Sequence, residues 1–212
     1  MIPSQLQCLY LHGFKSGPAS TKAQQTLAYF QAHGAGEQIH IPQLPHEPEQ
    51  ACALAADLYT KLIAKVGEEN CLLIGSSLGG FYATYLQNRF GGFAALINPA
   101  VRPYELLHDY LGENTNYYSD ETFMVTEDYL HQLKAMDVTT LRQPERFLLL
   151  TQTHDETLDY HQAVQKYLKS PCIIEYGGDH SYQNFEHRIP TILHFAQQSL
   201  GQSCNLEHKN GL

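Results

Sequence analysis

The sequence predicts an α/β fold: a six-stranded parallel sheet with helices on both of its faces. Three observations carry that prediction. Short apolar runs alternate along the chain with longer stretches of helical period, as they do when crossover helices join parallel strands. The runs are nearly unbroken apolar rather than alternating, which suits strands covered on both faces. The chain has 212 residues, 43% of them apolar, enough for one substantial core, and nothing in that length demands a second domain.

The expected strands, in order, cover residues 7–11, 38–41, 71–74, 94–97, 147–151 and 172–176. Between them, Ala55, Leu58, Leu62 and Val66 recur at helical spacing, as do Leu78, Tyr82, Leu86 and Phe90. Tyr160, Val164 and Leu168 form a third stripe, and Phe185, Ile189, Ile192 and Ala196 a fourth. His33-Gly34-Ala35-Gly36 and Phe90-Gly91-Gly92 read as helix stops, because glycine takes the left-handed C-terminal conformation without a steric penalty. One segment breaks the rhythm. Residues 102–145 are far longer than an ordinary connection and carry Tyr104, Tyr110, Tyr117, Tyr118 and Tyr129, which predicts a short lid over a site. The tail from Gly201 is expected to be poorly ordered.

Charge narrows the class of partner. A formal net charge of −9, with 13 Lys and Arg against 22 Asp and Glu and no basic run, disfavours nucleic acid and anionic membrane surfaces. A small neutral or mixed-charge molecule fits better. The start, Met1-Ile2-Pro3-Ser4-Gln5, lacks the pattern of an export signal, and no run approaches the about eighteen apolar residues of a membrane span. Cys8, Cys71 and Cys172 lie in apolar runs, the total of five cysteines is odd, and no CxxC occurs. They read as reduced core residues, and the chain as soluble and cytoplasmic.

Chemistry enters at Gly75-Ser76-Ser77-Leu78-Gly79, which matches G-x-S-x-G directly after an apolar strand and directly before a helical stripe. Such a serine sits on a strained strand-to-helix corner where the positions two before and two after have no room for side chains. That selects Ser77 over Ser76, with Gly75 and Gly79 shaping the corner. By composition alone, roughly 0.07 chance matches are expected in a chain of this length, so the motif needs support from its surroundings. A phosphate-binding reading finds neither GxxxxGK[ST] nor GxGxxG here.

A serine hydroxyl needs a histidine base oriented by a carboxylate, and in parallel sheets such groups meet beyond the carboxyl ends of strands. After the strand at 147–151 comes Gln152-Thr153-His154-Asp155-Glu156, which offers Asp155. After the strand at 172–176 comes Gly177-Gly178-Asp179-His180-Ser181, which offers His180. The order Ser77, Asp155, His180 is that of the α/β-hydrolases. Asp159 is the runner-up acid but falls in an expected helix. Glu156 and Asp179 are expected to point elsewhere, and His161, His187 and His194 to lie on helix surfaces. The amides of Leu78 and Phe14 are the expected oxyanion donors, with Gly13 bending the first-strand loop and His12 shaping it. Despite His12, His40 and His46, no HExxH or paired-ligand spacing suggests a metal.

At these residues the chain resembles the small YqiA-like bacterial esterases of the α/β-hydrolase superfamily. The matching stretches are Leu11-His12-Gly13-Phe14 with Ser16, Pro18, Ser20 and Lys22; Ile41-Pro42-Gln43-Leu44-Pro45; Ile74 through Gly80; and Asn98-Pro99-Ala100-Val101-Arg102-Pro103 with Asp109-Tyr110-Leu111-Gly112. Leu158-Asp159-Tyr160 and Gly177-Gly178 with His180 complete the likeness. The resemblance implies hydrolysis of carboxylic esters or acyl thioesters without a cofactor. It also implies Ser77, Asp155 and His180 as nucleophile, acid and base. A thioesterase would want cations at the entrance, for which Lys15, Lys22, Arg102 and Arg142 are candidates. A non-catalytic binding module is the rival from another class. Oligomeric state is left open by the sequence.

Overall fold

The computed structural model describes the backbone from Met1 to Leu206 and the side chains as far as Gln197. In chain order, β1 (Gln7–Leu11) leads to α1 (Thr21–Ala32), β2 (Ile39–His40) to α2 (Pro48–Val66), and β3 (Cys71–Ser76) to α3 (Leu78–Phe90). After β4 (Phe93–Ile97) comes an insertion of α4 (Pro103–Leu106), β5 (Gly112–Thr115), β6 (Thr122–Val125) and α5 (Glu127–Ala135). The chain then returns through β7 (Phe147–Gln152), α6 (Tyr160–Lys166), β8 (Cys172–Glu175) and α7 (Ile189–Leu206). The tail expected from Gly201 falls partly within α7, and beyond Leu206 it lies outside the described residues.

Six strands form one sheet in the order β2-β1-β3-β4-β7-β8, with every pairing parallel. Side chains alternate across it. Cys8 and Tyr10 of β1 join the core under α1 and α7, while Leu9 and Leu11 join the core under α2, α3 and α5. The order reverses at β1, since β2 lies on one side of it and β3 on the other. Loops leaving the carboxyl ends of β1 and β3 therefore diverge and open a crevice, the usual ligand position in such sheets.

Three expectations need correction. Strand β8 is at the sheet edge and only partly covered, so Cys172 is exposed rather than a core residue. Helix α6 stops at Lys166, which leaves Leu168 exposed instead of on a buried stripe. The insertion also holds an antiparallel hairpin, β5 with β6, that no apolar run announced. Among the described residues no helix is long and apolar enough to cross a membrane.

Candidate active site

Strand β3 passes into α3 through a single residue, Ser77, whose backbone sits at φ 54°, ψ −120°. A non-glycine residue at positive φ is strained, and the surroundings must hold it there. They do so with three bonds. Ser77 N–H donates to Ile97 O at 3.1 Å, and Ser77 O accepts from Ala100 N at 3.0 Å and Gly80 N at 2.9 Å. A methyl on Gly75 would overlap the Gly79 carbonyl, and one on Gly79 the Leu11 carbonyl. Gly13 lies directly over the corner, where an added methyl would stand 3.2 Å from Ser77 Cβ. Both serines border one cavity, but Ser76 is buried at 6% exposure whereas Ser77 is half-buried.

His180, from the turn after β8, places Nε2 3.1 Å from Ser77 Oγ. Its Nδ1 lies 2.9 Å from Oδ2 and 3.0 Å from Oδ1 of Asp155, from the turn after β7. The Asp155 side chain is 1% exposed, and its Oδ1 also accepts from the amides of Thr157 (2.9 Å) and Leu158 (2.8 Å). Because a carboxylate only accepts, Nδ1 carries the imidazole proton and Nε2 is left as an acceptor facing the hydroxyl. Residues 77, 155 and 180 thus come together from three strand ends.

The loop after β1 is fixed by His12. Its Nε2 accepts from Leu44 N at 3.2 Å, so Nδ1 holds the proton and donates to Gly13 O at 3.1 Å. Burial lowers its pKa, which keeps the ring neutral for this role. The amides of Phe14 and Leu78 find no acceptor among the described backbone hydrogen bonds, and both residues line the same cavity as Ser77 and His180. That cavity measures about 540 Å³. Tyr110, Tyr117 and Tyr118 of the insertion form part of its wall. The hairpin is tied to the β1 loop by Tyr117 N to Lys15 O (2.8 Å) and Asn116 Nδ2 to Ser16 O (3.0 Å).

A protein-family model described as Uncharacterised protein family (UPF0227) matches residues 7–197. The chain belongs to that family. Solved structures similar to this family member include Est1E from Butyrivibrio proteoclasticus, 13% identical over 94% of this chain and 90% of that one, with a TM-score of 0.66. Another is the esterase domain from a Rhodothermus marinus protein, 17% identical over 93% and 89%, with a TM-score of 0.59. Est1E has also been solved with ferulic acid bound, matching at 13% identity over 92% and 90%, with a TM-score of 0.68. At these identities the likeness establishes the α/β-hydrolase fold.

Two further residues of this UPF0227 chain hold the site, and sequence reasoning assigned neither a role. Asn98, buried just beyond β4, donates through Nδ2 to Asp179 O (3.0 Å) and His180 O (3.2 Å) and accepts Gln152 N at Oδ1 (3.0 Å). Gln152, at the end of β7, accepts Gln183 N (2.8 Å) and Asp179 N (3.2 Å) and donates to Gln183 O (3.0 Å). Together they clamp the turn that presents His180. Their polarity at the ends of apolar strands was the available signal, since a buried amide needs a local reason.

The other candidates fall outside the contacts around Ser77. Asp159 caps α6 and pairs with His161 on the surface. Asp179 bonds Ser181 and Gln183, whereas Glu156 comes closer than expected, accepting His180 N at 2.9 Å. His187 and His194 are exposed. Among the four candidate cations Lys22 lines the cavity, while Lys15 lies over the Tyr117 ring, Arg102 faces Glu105 and Arg142 borders a separate groove. Among the described residues no group of three His, Cys, Asp or Glu side chains is placed to hold a metal.

Proposed function

We propose that this protein is a serine esterase of the YqiA-like kind, hydrolysing small carboxylic esters through an acyl-enzyme. The observation that carries this reading is the bonded series Ser77 Oγ, His180 Nε2 and Nδ1, Asp155, built on a strained corner. In the first half-reaction His180 Nε2 takes the Ser77 proton as Oγ bonds to the ester carbonyl carbon. Asp155 stabilises the imidazolium without taking the proton. Negative charge gathers on the carbonyl oxygen, and the uncommitted amides of Phe14 and Leu78 are the donors for it. The intermediate collapses as His180 returns the proton to the departing alcohol. Water, deprotonated by the same Nε2, then releases the acid.

Each step uses groups of the chain itself, so the reading calls for no cofactor. Est1E, solved with ferulic acid, is a fold relative that holds an aromatic carboxylic acid, and a cavity of about 540 Å³ has room for an acyl group of that size. Of the four candidate cations Lys22 alone lines the cavity, which favours oxygen esters over coenzyme A thioesters. Release of p-nitrophenol from p-nitrophenyl butyrate tests the proposal. Ser77→Ala should lower turnover by at least about a thousandfold while the fold, followed by circular dichroism, is retained. Full turnover in Ser77→Ala would refute it.

A further inference from the structure

The lining of the cavity divides by chemistry into two unlike arms. Toward the insertion its wall is apolar, with Phe14, Leu78, Pro103, Leu106, Leu107 and Leu158. On the α1 and α7 side of the sheet it is lined by Tyr10, Ser20, Lys22, Gln25, Ser76 and Asn184, with one carboxylate, Glu186, bonded to Gln25.

Lys22 Nζ gives one hydrogen bond, to the Ser181 carbonyl at 2.7 Å, and forms no ion pair among the described residues. An ammonium has three N–H groups, so two remain. Helix α1 starts at the same place, because crossover helices run back along the sheet and bring their N-termini to the edge where Ser77 sits. Its Ser20 side chain makes no capping bond, and its first turn contains no acidic residue, so the partial positive charge there is uncompensated. The Tyr10 hydroxyl, on a residue with 0% exposure, has Ser76 as a polar neighbour but no formed hydrogen bond. It lies close to Ser76 and within electrostatic reach of Tyr118, both residues of the cavity wall. A buried hydroxyl without a partner is a cost that a ligand can remove.

The carboxylates that face this arm are already engaged. Asp155 holds His180, Asp179 accepts from Ser181 and Gln183, Glu156 accepts from His180 N, and Glu186 accepts from Gln25. Burial, opposed only in part by Asp179 and Asp155, brings the pKa of the half-buried Lys22 down to about 8, as expected of an ammonium without a full counter-charge.

We propose that this arm is a carboxylate subsite: the preferred esters carry a free carboxylate, received by Lys22, the Tyr10 hydroxyl and the first turn of α1. This rests on the esterase reading above. The rival role for Lys22 is that of a brace, its bond to Ser181 O steadying the turn that carries His180.

Paired substrates separate the two. Methyl hydrogen glutarate is compared with methyl 5-methylhexanoate, where isopropyl replaces the carboxylate, and carboxymethyl butyrate with isobutyl butyrate, using acid release at pH 7. The wild type should favour the acid of one pair in kcat/KM by about tenfold or more, the scale of a buried charge-assisted contact. The pair that shows it tells whether the acyl or the alcohol side enters the arm. Lys22→Met should abolish that ratio and Lys22→Arg should keep most of it. Calorimetric binding of the same intact esters to Ser77→Ala should show the same preference, lost in Ser77→Ala/Lys22→Met. No preference in either pair, or a Lys22→Met protein in which acid and neutral esters decline equally, would overturn the proposal. Failure of the esterase reading looks different: turnover is absent while the binding preference remains.

Discussion

Ser77 occupies a backbone conformation that costs about 1–3 kcal/mol, and it is held there by bonds to Ile97, Gly80 and Ala100 and by glycines on either side. The closeness at Gly79 makes Gly79→Ala a severe test. Its methyl would meet the Leu11 carbonyl, a backbone atom that cannot turn aside, and we expect loss of folded protein, read by circular dichroism and soluble yield. Asp155→Asn should keep the fold but lower kcat by roughly 10⁴-fold, because an amide no longer enforces the proton on His180 Nδ1. His12 yields a prediction about pH. Its folded pKa is lowered, so below its ordinary value of about 6.5 the unfolded chain binds the proton first. Its stabilising contribution is complete above that pH and is lost as pH falls toward the lower folded value. His12→Gln keeps an acceptor for Leu44 N–H without titrating, so between pH 7 and 5 the wild-type Tm should drop more steeply than that of the variant. Parallel curves would refute this.

At the level of elements, the turn after β8 matters most, because it carries His180 and is anchored by side chains from β7 and the end of β4. Asn98→Gly removes those bonds without imposing strain at a position whose φ is 38°. It should destabilise the protein by about 1–3 kcal/mol in urea unfolding. It should also lower kcat more than it changes KM, since the base is misplaced rather than the substrate. The four inner strands β1, β3, β4 and β7 were readable because burial on both faces writes continuous apolar runs. The hairpin was not. Gly112-Glu113-Asn114-Thr115 is polar, and only Asn114 of it is buried, so its pairing is set by the partner strand rather than by local pattern. Helix α1 buries only Ala23, Thr26 and Phe30, too sparse a stripe to announce itself, and sequence showed only its stop at His33-Gly34.

For the whole molecule, the sheet brings positions 77, 155 and 180 into bonding distance because parallel strands end on one edge. That consequence of topology is why a motif weak by counting gained meaning from strand order. The clamp by Asn98 and Gln152 could not be read the same way, since which strand ends touch is fixed only by the packed sheet. Burial across the molecule also sorts the described cysteines. Cys8, Cys52 and Cys71 are buried, with their thiol pKa values raised by desolvation, while Cys172 is exposed on the edge strand. Cys172→Ser should therefore remove one rapidly reacting thiol in a disulfide-exchange assay on native protein; no change in the rapid phase would contradict the placement of β8. Peptide mapping of the protein after reaction with a fluorophosphonate locates the nucleophile. A single adduct on Ser77 is expected, absent from Ser77→Ala. An adduct on Ser76, or labelling that persists in Ser77→Ala, would contradict it.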